Sequence, residues 1–203
     1  MKRAIWAPLV VLAAAPHVYA QQTDTGSPAA TVQRTIDDVM AGIRSDPAAR
    51  AGDPDATSKV VEQKFLPNTD FLRTTQLAVG SAWSKATPAQ QKALFEQFQT
   101  LLVRTYAAQL TQVGQGMQFK YLPMAQVAPG ASDAVVKTLV VTNGDTMNID
   151  YRVEKAPAGW KIYDINMMGA WMIQVYRQQF AQQIAKGGID GLVKFLAAHN
   201  ARE

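Results

Sequence analysis

Cysteine is absent from the 203 residues of this chain, and histidine occurs only twice, as His17 and His199. Disulfides and thiolate-ligated metals are therefore excluded. Transition-metal sites need several clustered histidine, cysteine or carboxylate ligands, and the two histidines lie far apart in the sequence. His199 is close to the C-terminus, where helix ends fray, and is a poor candidate for a general base. We predict no metal site and no cofactor.

The chain also has little net charge. Twenty basic residues stand against sixteen acidic ones, which gives +4. The first twenty residues hold two of the basic residues and no acidic one, so eighteen and sixteen remain, a net charge of +2. Nucleic-acid binding needs a clustered basic face, and this balance predicts no nucleic-acid partner. It allows mild attraction to an anionic membrane surface.

Long hydrophobic runs are lacking except at the N-terminus. Lys2 and Arg3 precede an apolar run from Ala4 to Ala15, and Val18-Tyr19-Ala20 has the small-x-small pattern of a cleavage site. The run is shorter than the roughly 20 apolar residues that span a bilayer, so a secretory signal peptide is favoured over a transmembrane anchor. Because no cysteine follows the cleavage site, a lipid-anchored product is excluded.

The domain organisation follows from these features. We predict a signal peptide at residues 1–20, a disordered leader at 21–29 and a single domain at 30–203. The leader is polar and contains glycine and proline. The domain is long enough to bury a substantial core, and no internal repeat or long linker divides it.

Helical periodicity dominates the first half of the domain. Apolar residues recur at the spacing of one helical face, and proline or glycine follows each segment. In Thr87-Pro88-Ala89-Gln90, threonine can cap, proline suits the first helical position and glutamine completes a capping box. We predict helices at residues 31–44, 55–65, 68–79 and 87–113, with a loop at 80–87 that carries Trp83.

The pattern then changes to the alternation that is typical of strands, at residues 117–121, 134–142, 146–154 and 160–167. Asn143-Gly144 is a strong hairpin signal. A helix, a break at Gly187-Gly188 and a short final helix follow. Consecutive strands between helices predict an α+β fold, in which helices cover one face of a curved antiparallel β-meander.

An ordered set of short segments runs through the C-terminal part of the chain. They are Trp160–Ile165 (WKIYDI), Gly169, Tyr176–Phe180 (YRQQF), Gly188–Leu192 (GIDGL) and His199-Asn200, and the earlier Arg104–Ala107 (RTYA) accompanies them. Together they resemble the MlaC or toluene-tolerance family, the periplasmic phospholipid-binding proteins of the Mla lipid-transport system. The resemblance covers residues 31–200.

This resemblance implies the same α+β architecture, with an apolar cavity that holds the acyl chains of a phospholipid. It implies a soluble periplasmic carrier without enzymatic activity, which shuttles phospholipid between the outer and inner membranes and maintains outer-membrane lipid asymmetry. The implied partners are an outer-membrane lipoprotein complex and an inner-membrane ABC transporter with a lipid-binding ring. We expect such a carrier to be a monomer.

The candidate lipid-binding residues come from the apolar faces of the long helix, the strands and the last helix. Such faces usually pack against one another, and a one-residue error of register turns a strand to its other face. Met167, Met168 and Met172 surround Gly169, where flexible thioethers suit either an adaptable pocket or core filling. The predicted set is Phe98, Leu102, Tyr106, Leu110, Leu139, Val141, Ile149, Tyr151, Ile165 and Val175.

Three further residues have two interpretations each. Trp171 stands where members of the resembled family commonly have a small residue, and its indole is expected to narrow the pocket or cap its mouth. Arg104 and Arg177 are expected to pair either with a lipid headgroup or with other parts of the protein.

Two alternative functions remain open. Asp164 lies in a predicted strand, where aspartate is unusual, and is a candidate general base of a cone-shaped α+β enzyme with an apolar substrate. Otherwise it pairs with a nearby arginine or tyrosine. The second alternative is a ligand-free periplasmic adaptor with a filled core. The sequence has neither a phosphate-binding loop nor a nucleophile elbow, and we predict no catalytic residue.

Overall fold

The structure is a computed structural model that describes residues 26–113, 117–124, 127–128, 130–142 and 145–202. The predicted signal peptide, most of the predicted leader and the Asn143-Gly144 turn lie outside these residues. Short 3-10 segments occupy Leu66–Asn68 and Gly80–Lys85. The helices and strands are α1 (Pro28–Ser45), α2 (Pro47–Arg50), α3 (Pro54–Lys64), α4 (Phe71–Val79), α5 (Pro88–Val113), β1 (Gln118–Tyr121), β2 (Asp133–Thr142), β3 (Asp145–Ala156), β4 (Gly159–Met167), β5 (Ala170–Trp171) and α6 (Met172–Asn200).

The strands form one antiparallel meander in the order β1-β2-β3-β4-β5, which confirms the predicted α+β fold. Alternation along β2 assigns its faces. Val136, Thr138 and Val140 are buried, whereas Val135 and Lys137 are exposed. One face of the sheet therefore lies against the helices and the other is largely exposed.

A β-bulge interrupts the pairing of β3 with β4. Val153 pairs with Ile162, and the next pair joins Arg152 to Asp164. Tyr163 is consequently the extra residue on β4. A bulge redirects the side chains around it and increases the local twist. This one lies just before the chain leaves the sheet for α6.

Capping side chains define the helix starts. The Ser27 hydroxyl accepts a backbone N–H of the first turn, so α1 begins at Pro28, earlier than the predicted residue 31. Asp46, Asp53 and Asp70 cap α2, α3 and α4 in the same way. The four-residue α2 was not predicted, because it is too short to show a helical period.

The long α5 begins as the sequence predicts. Gln90 Oε1 accepts the Thr87 backbone N–H at 2.9 Å, and Thr87 Oγ1 accepts the Gln90 N–H at 3.3 Å. The reciprocal pair is the predicted capping box. Gln91 reaches back to the carbonyl of Trp83 at 3.0 Å, which fastens the preceding 3-10 segment to the helix.

The helices do not all approach the sheet equally. α1, α4 and α6 contact strands directly, whereas α5 packs chiefly on α3, α4 and α6. One buried cluster joins α4, α5 and α6 around Phe98 and Phe180, and a second joins α1 to the strands around Val32 and Val140. Because α5 packs chiefly on other helices, it leaves space between itself and the sheet.

The predicted Gly-Gly break lies within α6. Gly187 has φ −140° and ψ 16°, and Gly188 has φ 64° and ψ −165°, so the helix axis changes direction there. Beyond the break, Leu192 and Leu196 are fully buried in the α4–α5–α6 cluster. The break thus lets the second arm of α6 return to the core.

We predict that Gly188→Ala lowers the free energy of unfolding by about 1–3 kcal/mol, because only glycine adopts this backbone conformation without strain. Urea denaturation measures the change. The matched control is Gly191→Ala, in a helical part of α6, where an added Cβ makes an ordinary contact with the backbone oxygen of Gln183 at 3.6 Å. That variant is expected to be neutral or stabilised by up to about 1 kcal/mol. Equal destabilisation of both variants would contradict the role of Gly188.

Candidate functional site

An apolar cavity lies between α5 and the helix-facing side of the sheet. Its volume is about 240 Å³. The described wall residues are almost all aliphatic, aromatic or methionine. They are Ile36, Val39, Met40, Val61, Phe65, Leu66, Thr69, Phe71, Thr74, Leu102, Val103, Tyr106, Gln109, Leu110, Met117, Phe119, Met147, Ile149, Tyr151, Ile162, Tyr163, Asp164, Ile165, Met167, Met168 and Met172. The adaptor alternative expected a filled core, and these residues enclose free space instead.

Six of the ten predicted lipid-binding residues lie on this wall. Three come from α5 at four-residue intervals, which places them on one side of the helix. The other three come from β3 and β4. The six are Leu102, Tyr106, Leu110, Ile149, Tyr151 and Ile165. Their contact with a lipid remains a prediction.

Two helical residues of the predicted set lie away from the described wall. Phe98 belongs to solid core, where its ring lies 4.9 Å from the rings of both Tyr176 and Phe180. Val175 is 39% exposed on the first turns of α6. The apolar residues of α5 face both the cavity and α6. The helical period in the sequence does not show which of these residues face which.

Two strand residues of the set, Leu139 and Val141, are also off the described wall. They alternate with Thr138 and Val140, which are fully buried, and so take the opposite face of β2. Thr138 and Val140 are not among the described wall residues either, so no described residue of β2 lines the cavity.

Methionine is concentrated on the wall. Six of the eight methionines in the chain line the cavity, namely Met40, Met117, Met147, Met167, Met168 and Met172. The sequence pointed to the three around Gly169 and missed the other three as wall residues. Unbranched thioethers change shape at little cost, so a wall rich in them can adapt to an occupant.

Asp164 is the one acidic residue on the described wall, and its carboxylate is engaged on both oxygens. Oδ1 accepts the backbone N–H groups of Ile165 and Ile173, each at 3.0 Å, and Oδ2 accepts Arg152 Nη1 at 2.9 Å. Ile173 lies in the first turn of α6, whose N-cap residue supplies no side-chain cap. Asp164 therefore caps α6 from the neighbouring strand.

Burial raises the pKa of Asp164, and the hydrogen bonds from Ile173 and Arg152 offset this only in part. A raised pKa is common at catalytic carboxylates, but structural ion pairs show it as well. Here the carboxylate oxygens of Asp164 accept hydrogen bonds from the first turn of α6 and from the Arg152 guanidinium. These bonds connect the strand to the helix. The geometry supports the structural interpretation of Asp164 over the general base.

Trp171 does not lie on the described cavity wall, contrary to the expectation that it narrows the pocket or caps its mouth. The guanidinium carbon of Arg152 lies 3.8 Å from the centre of the Trp171 ring. The indole thus stacks on the arginine that pairs with Asp164, and such stacking strengthens as water is excluded. The bulky residue protects the start of α6.

Arg104 and Arg177 pair with the protein itself. Arg104 Nη1 donates to the carbonyl of Asn200 at 2.6 Å, at the end of α6. Arg177 donates from Nε and Nη2 to the carbonyl of Leu77, at 2.8 and 2.6 Å. These bonds connect α6 with α5 and α4. Neither arginine is among the wall residues, which favours their structural role over headgroup pairing.

A second polar cluster fixes α4 beside the cavity. Arg73 pairs with Glu154 and, at 2.9 Å, with Asp133, and its guanidinium lies 3.8 Å from the centre of the Tyr163 ring. Thr74 Oγ1 donates to the carbonyl of Tyr163 at 2.7 Å. These contacts hold α4 against the bulge in β4.

The cavity wall has phenols but few charges. Burial raises the pKa of Tyr106, Tyr151 and Tyr163, so all three present neutral hydroxyl groups near neutral pH. The charge of Asp164 raises the pKa of Tyr106 further. No arginine, lysine or histidine stands among the described wall residues. The surface suits an apolar occupant.

The described residues also lack a candidate metal cluster and a candidate membrane-spanning helix. The residues that the structure describes contain no cluster of three or more histidine, aspartate or glutamate side chains able to hold a metal ion. None of the helices in those ranges is sufficiently long and apolar to cross a bilayer.

Comparison with known proteins identifies the family. The profile described as MlaC protein matches residues 33–198. The chain belongs to the MlaC family. The resemblance inferred from the C-terminal segments is therefore confirmed.

Two relatives add detail. The toluene tolerance protein ttg2D of Pseudomonas putida is 25% identical over 185 residues, which cover 90% of this chain and 83% of that protein. A phospholipid-binding protein from Ralstonia solanacearum, solved in complex with a phospholipid, is 46% identical, with a TM-score of 0.80. The match covers 85% of this MlaC-family chain and 96% of the Ralstonia chain.

We predict that Asp164→Asn lowers the free energy of unfolding by about 1–3 kcal/mol, because the amide cannot accept bonds from Ile173 and Arg152 together. Urea denaturation at neutral pH measures the loss. Asp145→Asn, at an exposed position, is the matched control and is expected to change stability by less than about 0.5 kcal/mol. Unchanged stability in Asp164→Asn would show that the carboxylate does not fasten α6.

Proposed function

We propose that this protein is a periplasmic phospholipid carrier that holds acyl chains in the cavity between α5 and the sheet. In this proposal it shuttles phospholipid between the outer and inner membranes and maintains outer-membrane lipid asymmetry. The observation that carries it is an apolar cavity in a chain 46% identical to a protein solved with phospholipid bound. The six predicted residues on the wall are the proposed chain contacts.

The energetics of lipid transfer make an enclosed carrier necessary. Two acyl chains contain about 30 methylenes, and each costs roughly 0.8 kcal/mol when it is exposed to water. A free phospholipid therefore pays on the order of 24 kcal/mol in an aqueous compartment. A carrier must cover nearly all of this apolar surface, and a wall of aliphatic, aromatic and methionine side chains does so without directional bonds.

The proposed role needs no catalysis. A bilayer and an apolar cavity give similar relief from water, so transfer between them is close to neutral in free energy. The proposal therefore assigns the direction of transport to partners, an outer-membrane lipoprotein complex and an inner-membrane ABC transporter with a lipid-binding ring. Asp164 supports this reading, because its oxygens bind Ile165, Ile173 and Arg152 instead of facing a substrate.

Export supports the same proposal. The first twenty residues have the basic start, apolar run and cleavage pattern of a signal peptide. We propose that the exported chain works as a monomer in the periplasm, since a carrier that meets two partner complexes in turn needs no second subunit.

Mass spectrometry of an organic extract tests the proposal directly. We expect the natively purified, detergent-free protein to release phospholipid in near-stoichiometric amount, and the spectrum to give the headgroup and the chains. A repeatedly lipid-free extract, together with no uptake from phospholipid vesicles, would reject the carrier and favour the adaptor.

A cavity-filling pair of variants tests the location of the lipid. Met147 lies on the wall in β3, and Met147→Trp places an indole in the cavity. We expect the phospholipid recovered per protein to fall at least about fivefold, because a filled space excludes the chains.

Val141→Trp is the matched control, since Val141 is half-buried on the adjacent strand and off the described wall. It is expected to retain lipid at the level of the unsubstituted protein. Full retention by Met147→Trp, with its fold intact by circular dichroism, would place the lipid elsewhere.

A further inference from the structure

Exposed residues on the wall show where the cavity approaches the surface. Among the described wall residues, two are exposed: Gln109 on α5 and Met168 in the turn between β4 and β5. Met168 is 77% exposed, the largest value among the exposed large apolar residues of the described chain. A side chain that both lines the cavity and faces solvent marks an opening, and Met168 is the apolar one of these two.

The backbone of this turn is unusual. Met168 has φ +51°, and it is the one non-glycine residue with positive φ in the part of the chain that the structure describes. The next residue, Gly169, has φ +90°. Glycine and asparagine adopt this left-handed region far more readily than a long aliphatic side chain does. Methionine at this position is thus unfavourable both for the backbone and for its exposed apolar surface.

Hydrogen bonds hold the turn in this conformation. Gly169 N–H donates to Asn166 Oδ1 at 2.8 Å, and Met168 N–H donates to the carbonyl of Asn148 at 3.3 Å. The turn is therefore tied both to its own strand and to the neighbouring one. Held in this way, the Met168 side chain stays largely exposed while it contributes to the cavity wall.

Met168 also continues the methionine surface of the cavity. Met167 precedes it on the wall and Met172 follows on the first turn of α6. An acyl chain that passes the opening would otherwise cross water or polar groups. A flexible thioether at the rim gives the chain an apolar contact throughout its passage and adapts to its shape.

We propose that Met168 is the lip over which lipid enters and leaves the cavity, a residue that sets the rate of exchange and not the stability of the fold. This inference rests on the proposed function, because it names the point of entry to the same cavity. Its observations are the exposure of Met168, its position on the wall and the strained turn that holds it there.

Lipid exchange kinetics test the proposal. Vesicles of phosphatidylethanolamine containing a self-quenching fluorescent phosphatidylethanolamine are mixed with the full mature protein, and dequenching reports uptake. Met168→Asn keeps a residue that tolerates the left-handed turn but makes the lip polar. We expect the exchange rate to fall about three- to tenfold, with the urea midpoint unchanged or higher.

Two controls accompany this variant. Met168→Leu keeps the lip apolar and is expected to exchange within about twofold of the unsubstituted rate. Leu72→Asn removes an apolar side chain that is 47% exposed on α4 and off the described wall, and it is expected to leave the rate unchanged. Should Met168→Asn not fold, Met168→Gly also tolerates positive φ, and the same slowing is expected from it.

The outcomes separate the two levels of inference. If the unsubstituted protein exchanges lipid and Met168→Asn or Met168→Gly does so at the same rate, the lip is rejected and the carrier stands. A lower urea midpoint in Met168→Asn without slower exchange would make Met168 merely structural, and the lip is again rejected. If the unsubstituted protein neither contains nor takes up phospholipid, the proposed function fails, and the lip fails with it.

Discussion

The buried carboxylate of Asp164 positions α6, and α6 in turn helps to position α5, the long helix that borders the cavity. Its bonds to Ile173 and Arg152 decide where α6 leaves the sheet. From there α6 packs on α5 through the aromatic contacts of Phe98 with Tyr176 and Phe180. Because α5 packs chiefly on other helices, it does not pack closely on the strands. The space between α5 and the sheet thus depends on this cap together with the packing of α5 on α3 and α4.

Local chemistry made most elements predictable. The Thr87–Gln90 capping box, the alternation in β3 and the Gly187-Gly188 break each act within a few residues, and each appears where the sequence placed it. The short elements α2 and β5 escaped prediction. Four and two residues are too few to show a period, and β5 exists only because the chain turns back on the end of β4.

The sequence indicated cavity residues only where an apolar pattern belonged to an element face that borders the cavity. Leu102, Tyr106 and Leu110 recur every four residues on one face of α5, and all three lie on the described wall. Leu139 lies off the described wall, to which no described residue of β2 contributes, and the sequence does not show which strands border a cavity. The partner of Asp164 also depends on the bulge at Tyr163, a shift of register that no local pattern in β4 announces.

The cavity imposes a cost that the rest of the fold must carry. The layer of about 240 Å³ between α5 and the sheet lacks the side-chain contacts that a solid core would make there. The clusters around Phe180 and Val140, and the polar cluster of Arg73, supply cohesion that this layer does not. In the proposed function, the acyl chains of a phospholipid supply these contacts. The methionine wall would then let the occupant differ in shape from one lipid to the next.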